Sequence, residues 1–255
     1  MRFRTLAVAF TLAVLLGARM SRAEEDGIVN DPIHFYRYKP MYALVGHPLS
    51  KIQVSLKVNV VKKLPLYFGY SQLMMWDAFI AKPYFYDLNY NPEVFYRFAL
   101  DGENTEWLDV GVEHESNGRG AAGERSWDRA YLRYHVLTRT GNDTKIHWEV
   151  KAWVPGDEDE NNRDLAQYRG LWEVNITVSD ILKHWFDKAD LTLRLYPGGP
   201  SLTDPLRGGQ ELTFTARLGE SSVLPVFVAQ LFHGYGEDLR DYNVNHWEFR
   251  AGFGF

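Results

Sequence analysis

The stretch KIQVSLKVNV, residues 51–60, alternates without exception: Ile52, Val54, Leu56, Val58 and Val60 are separated by Lys51, Gln53, Ser55, Lys57 and Asn59. An extended chain turns successive side chains to opposite faces, so this pattern makes a strand with one apolar and one polar face. The pattern returns in KIHWEVKAWV (145–154), in ELTFTARL (211–218) and in HWEFRAGFGF (246–255), where Trp247, Phe249, Ala251, Phe253 and Phe255 share a face. Further strands read near residues 35–45, 66–76, 92–100, 106–116, 127–139, 168–178, 188–196 and 224–234. The total is about twelve strands of roughly ten residues, an even number that suits an antiparallel transmembrane β-barrel.

A soluble barrel or sandwich would show the same alternation, so the connections matter. KKLP (62–65), DGENT (101–105), TGNDT (140–144) and GESSV (219–223) are short, whereas polar loops at 77–91, 117–126, 155–167, 197–209 and 235–243 are long. Short turns on one rim and long loops on the other are the outer-membrane pattern. The short link at 47–50 and the long turn at 179–187 depart from it. Aromatic residues make up 15% of the chain, and Tyr67, Tyr70, Trp76, Tyr90, Trp107, Trp127, Tyr168 and Trp172 fall near strand ends, as interfacial girdles would require.

At 255 residues and 45% hydrophobic composition, one all-β domain accounts for the chain, with no linker and no repeat longer than a hairpin. A net charge of −5 excludes the broad basic field of a nucleic-acid binder. The N-terminal MRFRTLAVAFTLAVLLGARMSRA has Arg2 and Arg4, an apolar run and small residues at Ser21 and Ala23, the pattern of a signal peptide over 1–23. The mature barrel is then 24–255, exported to a bacterial outer membrane. The chain has no Cys, so no disulfide staples it.

Chemistry concentrates in VGVEHESNGRGAAGERSWDR, residues 110–129. Strand parity sets Val110, Val112, His114 and Ser116 on one face, and Asp128, Ala130, Leu132 and Tyr134 on the matching face of the next strand. Glu113, Arg133, Glu149 and Lys151 then face the lumen, which reads as plugged rather than open. His114, Ser116 and Asp128 thus meet as outward cross-strand neighbours at the rim, where a polar side chain costs little and phospholipid esters lie. Ser116 is a candidate nucleophile, His114 its base and Asp128 the group that orients the ring. The backbone at Gly118 offers an amide to an oxyanion. Other motifs fail: GESSV lacks the second Gly of a nucleophile elbow, HESNG is not a zinc motif, and the acidic run GDEDENNRD (156–164) reads as a solvated loop.

The combination HESNGR followed by RSWDR resembles the active-site hairpin of the outer membrane phospholipase A family. The resemblance continues through LNYNPEVFYRF (88–98), VKAWV (150–154), YRG (168–170) and GYGEDLRDYNVN (234–245). It implies a twelve-stranded barrel that hydrolyses acyl esters of phospholipids and lysophospholipids, depends on calcium and is active as a homodimer. By position, His114 would be the base, Ser116 the nucleophile and Gly118 the oxyanion donor. The best-known members carry Asn where this chain has Asp128, a change that adds a charge able to stabilise an imidazolium. The family's calcium site implies a carbonyl at Arg119, a second carbonyl near Lys82, and Glu124 where a hydroxyl is expected from the partner subunit. Gln72 matches a polar position in the family's dimer interface. Two other classes remain: a non-catalytic pore or structural barrel, and a soluble periplasmic lipid-binding barrel with its apolar faces turned inward.

Overall fold

The computed structural model describes residues 35–61, 64–140, 144–217 and 225–254. The signal peptide expected over 1–23 and the terminal Phe255 lie outside the described residues. The strands are β1 (Phe35–Arg37), β2 (Tyr42–Gly46), β3 (Ser50–Asn59), β4 (Leu66–Asp77), β5 (Tyr84–Ala99), β6 (Glu106–Ser116) and β7 (Ser126–Arg139). They continue with β8 (Lys145–Glu158), β9 (Trp172–Ser179), β10 (Lys188–Gly198), β11 (Asp204–Arg217), β12 (Val226–Gly234) and β13 (His246–Gly254). One helical turn, α1 (Ala166–Arg169), lies in the loop before β9.

From β2 onward each strand pairs antiparallel with the next, and β13 returns to β2 through Arg250↔Gly46 to Gly254↔Tyr42, which closes the barrel. β1 and β2 both pair with β3 and are two pieces of one stave, so the barrel has twelve staves. The expected single strand over 35–45 is interrupted. Between Arg37↔Leu56 and Tyr42↔Gln53 one side advances five positions and the other three. Pro40 lies in the break and has no N–H to give the ladder. The break lets Lys39 reach Asn91 Oδ1 at 2.8 Å and Glu93 at 3.4 Å.

The barrel is inverted relative to a soluble core. Val94, Val112, Leu132, Val154, Phe249 and Phe253 are exposed on the outside, whereas Lys51, Glu93, Arg97, Asp109, Glu113, Arg129, Arg133 and Lys151 are buried inside. The charges are paired. Arg97 Nε donates to Asp109 at 2.7 Å, Arg133 reaches the same carboxylate at 3.0 Å, and Lys151 and Arg129 hold Glu113 at 2.5 and 3.0 Å. What remains of the lumen is a cavity of about 480 Å³ lined largely by these polar groups. The soluble alternative, which needs inward apolar faces, is contradicted by this arrangement.

Three expected girdle residues turn out to face inward. Tyr67, Trp107 and Trp127 are buried, because their positions share parity with the lumen charges. There Arg97 sits 4.9 Å from the Trp107 ring centroid and Arg129 sits 3.9 Å from that of Trp127. Tyr168 is not on a strand but in α1, packed on Tyr235 and Tyr242.

The two rims differ as expected, with two changes. β5 starts at Tyr84, and β10 and β11 extend to Gly198 and from Asp204, so the loops at 78–83 and 199–203 are short. The loops at 159–171 and 235–245 fold across the same end of the barrel as the β6–β7 connection. Leu165, Leu239 and Tyr242 there join Trp127 and Trp153 in one apolar cluster, and Tyr242 donates to Asp164 at 2.5 Å. This cluster plugs that mouth.

An Arg on the outer face near mid-strand should cost about 2–4 kcal/mol, since it replaces an apolar contact with lipid. Leu132→Arg is expected to lower the unfolding free energy in denaturant titrations in vesicles by that amount. A loss below about 0.5 kcal/mol would mean this face is not lipid-exposed.

Candidate active site

The β6–β7 hairpin pairs His114 with Asp128 and Ser116 with Ser126, so the expected trio occupies adjacent positions on one face. Outward parity exposes His114 and Asp128, with side-chain exposures of 46% and 54%. His114 Nδ1 and Asp128 Oδ1 are 2.7 Å apart. A carboxylate accepts only, so a neutral ring must carry its proton on Nδ1, which leaves Nε2 free as a base. Ser116, half-buried, ends β6 opposite Tyr90 of β5. No hydrogen bond joins Ser116 to His114 among the described residues; such bonds often tighten only with substrate present.

The inner faces of these strands keep the outer ones in place. Asn91 Nδ2 donates to the His114 carbonyl at 2.9 Å and to Glu113 at 3.2 Å. Glu115 accepts from Trp127 Nε1 at 3.0 Å and from Arg129 at 2.7 Å. The hairpin is therefore braced from the lumen by buried, charge-assisted bonds.

Beyond Ser116 the chain turns through 117–125. Asn117, only 3% exposed, staples this turn. Its backbone N–H donates to the Arg125 carbonyl at 3.0 Å, its Oδ1 accepts from the Arg119 and Arg125 amides at 3.3 and 3.1 Å, and its Nδ2 donates to Gly123 at 3.0 Å. Sequence reading singled out its neighbours but not Asn117; the signal was an Asn directly after a strand, a residue that readily bonds backbone nearby. Gly118 has φ +61°, and a Cβ there would lie 2.8 Å from the Tyr90 ring, so both conformation and space demand glycine.

The residues expected to bind calcium lie on two connections: Arg119 and Glu124 between β6 and β7, and Lys82 between β4 and β5. Lys82 is exposed in the 78–83 loop, and Glu124 is exposed with its own carbonyl engaged by Arg125 at 2.7 Å. Arg119 directs its side chain to Asp87 and to the Tyr86 carbonyl. Among the described residues no three His, Cys, Asp or Glu side chains form a metal cluster. Gln72 lies on the outward face of β4 and accepts from Tyr70 Oη at 3.2 Å. The structure thus brings His114, Asp128, Ser116 and Gly118 to one end of the β6–β7 hairpin, with Arg119 and Glu124 in the turn that follows, Lys82 in the β4–β5 loop and Gln72 on the outer face of β4.

The sequence and the barrel resemble those of known proteins. The family model described as Phospholipase A1 matches residues 46–255. The chain belongs to the phospholipase A1 family. It is 31% identical over 194 residues to Phospholipase A1 of Escherichia coli (strain K12), covering 73% of this chain. It is 30% identical over 197 residues to Phospholipase A1 of Klebsiella pneumoniae. The match spans 60% of the length of each relative. Among solved structures, outer membrane phospholipase A from E. coli superposes with a TM-score of 0.72 at 24% identity, covering 87% of this chain and 98% of that one. The Salmonella typhi outer membrane phospholipase dimer with bound calcium superposes with a TM-score of 0.69 at 23% identity, covering 94% and 96%. The barrel fold is thus common to this phospholipase A1 family chain and those structures.

One carboxyl in a loop on the same rim of the barrel is perturbed. Asp238, buried in the 235–245 loop, is pushed up to about 7 by desolvation first, then by the neighbouring charges of Asp87, Glu237 and Asp241. A folded value above the unfolded one means that the native state holds a proton which the unfolded state has lost. Stability then falls as pH rises from about 4 to about 7 and is flat on either side. Asp238→Asn should therefore stabilise the barrel at pH 8, with a gain that shrinks as pH is lowered through this window. A pH-independent effect in denaturant titrations would refute the assignment.

Proposed function

We propose that the chain is an outer-membrane phospholipase that hydrolyses acyl esters of phospholipids and lysophospholipids, with Ser116 as nucleophile, His114 as base and Asp128 as orienting group. The observation that carries this reading is the 2.7 Å His114–Asp128 contact on the lipid side of the rim, two residues from Ser116 on the same face. A soluble hydrolase would put such a trio in a water-filled cleft. Here it faces the depth at which phospholipid esters lie, on a barrel whose lumen is packed with paired charges. That plugged lumen favours a surface enzyme over a pore.

The chemistry follows from the tautomer. As Ser116 Oγ attacks the ester carbonyl carbon, its proton passes to His114 Nε2, and Asp128 stabilises the imidazolium that forms. The carbonyl oxygen takes up negative charge, and the Gly118 amide is the donor for it. Collapse expels the alcohol of the lysolipid, which regains the proton from His114. Water then repeats the sequence and frees the fatty acid and Ser116. Both ester positions of a phospholipid, and the remaining ester of a lysophospholipid, are chemically open to this sequence.

Calcium fits the donor chemistry, because backbone carbonyls at Arg119 and near Lys82 and the carboxylate of Glu124 are hard oxygen ligands. A shared site in which Glu124 comes from a partner subunit is supported by the solved Salmonella typhi outer membrane phospholipase, a dimer with bound calcium. When bound, the ion would supply positive charge next to the turn that faces the oxyanion. Gln72 supports the same assembly, since an amide on a lipid-facing surface gains from a symmetric partner. The N-terminal leader and the apolar outer face support export to the outer membrane.

Phospholipid hydrolysis in detergent should be lost by at least about a thousandfold in Ser116→Ala, as expected when a nucleophile is removed. Excess chelator should abolish the parent's activity. Equal rates for parent and Ser116→Ala would remove the enzyme reading, and hydrolysis that survives the chelator would remove calcium. Asp128→Asn should retain activity, because an amide can still orient the ring. An inactive parent with an active Asp128→Asn variant would contradict the role given to Asp128.

A further inference from the structure

The inner face of β5 beneath the catalytic hairpin carries Asp87, Asn89 and Asn91, all buried, and none is required by the chemistry above. Each reaches a different piece of the rim. Asn91 holds the His114 carbonyl at 2.9 Å, and Asn89 Oδ1 accepts the Leu239 amide of the 235–245 loop at 3.0 Å. Asp87, with no exposed surface, faces two loops at once. Its Oδ2 accepts the Arg240 amide at 2.9 Å and Asn89 Nδ2 at 2.6 Å. Its Oδ1 has no hydrogen bond and lies 3.4 Å from Arg119 Nε. The adjacent Tyr86 carbonyl repeats the arrangement, accepting from Arg240 at 2.9 Å and from the Arg119 guanidinium. The Arg240 head also lies 3.8 Å from the Tyr86 ring centroid, and Tyr86 Oη donates to Asp241 at 2.8 Å.

Two arginines from loops far apart in sequence therefore grip one carbonyl and one carboxylate. Arg119 follows Gly118 directly, so anything that anchors its side chain sets where the Gly118 amide points. Further restraints on this turn include Asn117, from within, Arg125 on the Ala122 and Glu124 carbonyls, and the Tyr90 ring, three residues further along β5 than Asp87.

We propose that Asp87 is a positioning residue: through Arg119 it fixes the Ser116-Asn117-Gly118-Arg119 turn, and through the Arg240 amide it ties that turn to the 235–245 loop. Asp87 touches no reacting atom. Arg119 is the cation within 3.4 Å of its buried Oδ1, so moving Arg119 away would leave that carboxylate oxygen without its partner. Without that anchor Arg119, which is partly exposed, keeps the neutral Tyr86 carbonyl but loses its ionic partner, and the Gly118 amide is held less firmly. The inference rests on the hydrolase reading of the hairpin and extends it to the strand below and the loop opposite.

The test uses the full chain purified in detergent, with hydrolysis measured at saturating calcium for Asp87→Asn, Arg119→Gln, the double variant and Asp87→Glu. Misplacing a reacting geometry by about 1 Å can cost up to about a hundredfold. Asp87→Asn is therefore expected to lower kcat about tenfold or more while KM stays within about twofold. Arg119→Gln should give a similar fall, the double variant should fall no further, and Asp87→Glu should regain part of the loss. Unchanged heat-modifiable migration on gels would show that every variant is folded. A kcat within about twofold of the parent for Asp87→Asn, or losses that multiply in the double variant, would overturn the proposal. A parent whose hydrolysis does not depend on Ser116 would instead overturn the hydrolase reading, and this inference with it.

Discussion

The rest of the structure depends on a closed antiparallel ladder whose outside meets an apolar medium. Without water to satisfy exposed backbone groups, every N–H and C=O of a spanning strand must pair with a neighbour, and only closure removes the last open edge. Here closure is made by β13 on β2, five residue pairs from Arg250↔Gly46 to Gly254↔Tyr42. Once the ladder is closed, the alternation first visible in KIQVSLKVNV decides the side on which each residue falls.

Two consequences follow. The polar half of the alternation is forced inward, where isolated charges would be costly, so they are arranged in shared networks such as Arg97, Asp109 and Arg133, or Lys151, Glu113 and Arg129. Apolar residues outside leave few positions where a titratable group is tolerated, and the strand ends are among them. His114, Ser116 and Asp128 occupy such positions on the loop-rich rim. The inward network also braces them, because Asn91 and Glu113 lie directly behind His114. Rigidity of the outward site thus comes from the same buried charges that fill the lumen.

Much of this was legible in the chain. Period-two alternation revealed the staves, and parity put His114, Ser116 and Asp128 on one face as possible cross-strand neighbours, since a two-residue side-chain period leaves no freedom once a face is assigned. Parity also decides Tyr67, Trp107 and Trp127: the face they share with Lys57, Asp109 and Arg129 outweighs their proximity to strand ends. Other features depend on contacts distant in sequence. The break at Tyr38–Met41 is marked only by Pro40. Nothing near Asp87 in the sequence reveals that Arg119 and Arg240 converge on it, and Leu165, Leu239 and Tyr242 become a plug only when two loops meet above Trp127 and Trp153.

The central claim is that Ser116 is a nucleophile activated at a lipid-facing rim. Its most direct measurement is reaction of the detergent-solubilised protein with a long-chain alkylsulfonyl fluoride, followed by peptide mass mapping. The account predicts a single sulfonyl adduct on Ser116, with labelling lost when His114 is replaced by Ala. An adduct on Ser126 or elsewhere, or labelling of Ser116 that is indifferent to His114, would contradict it.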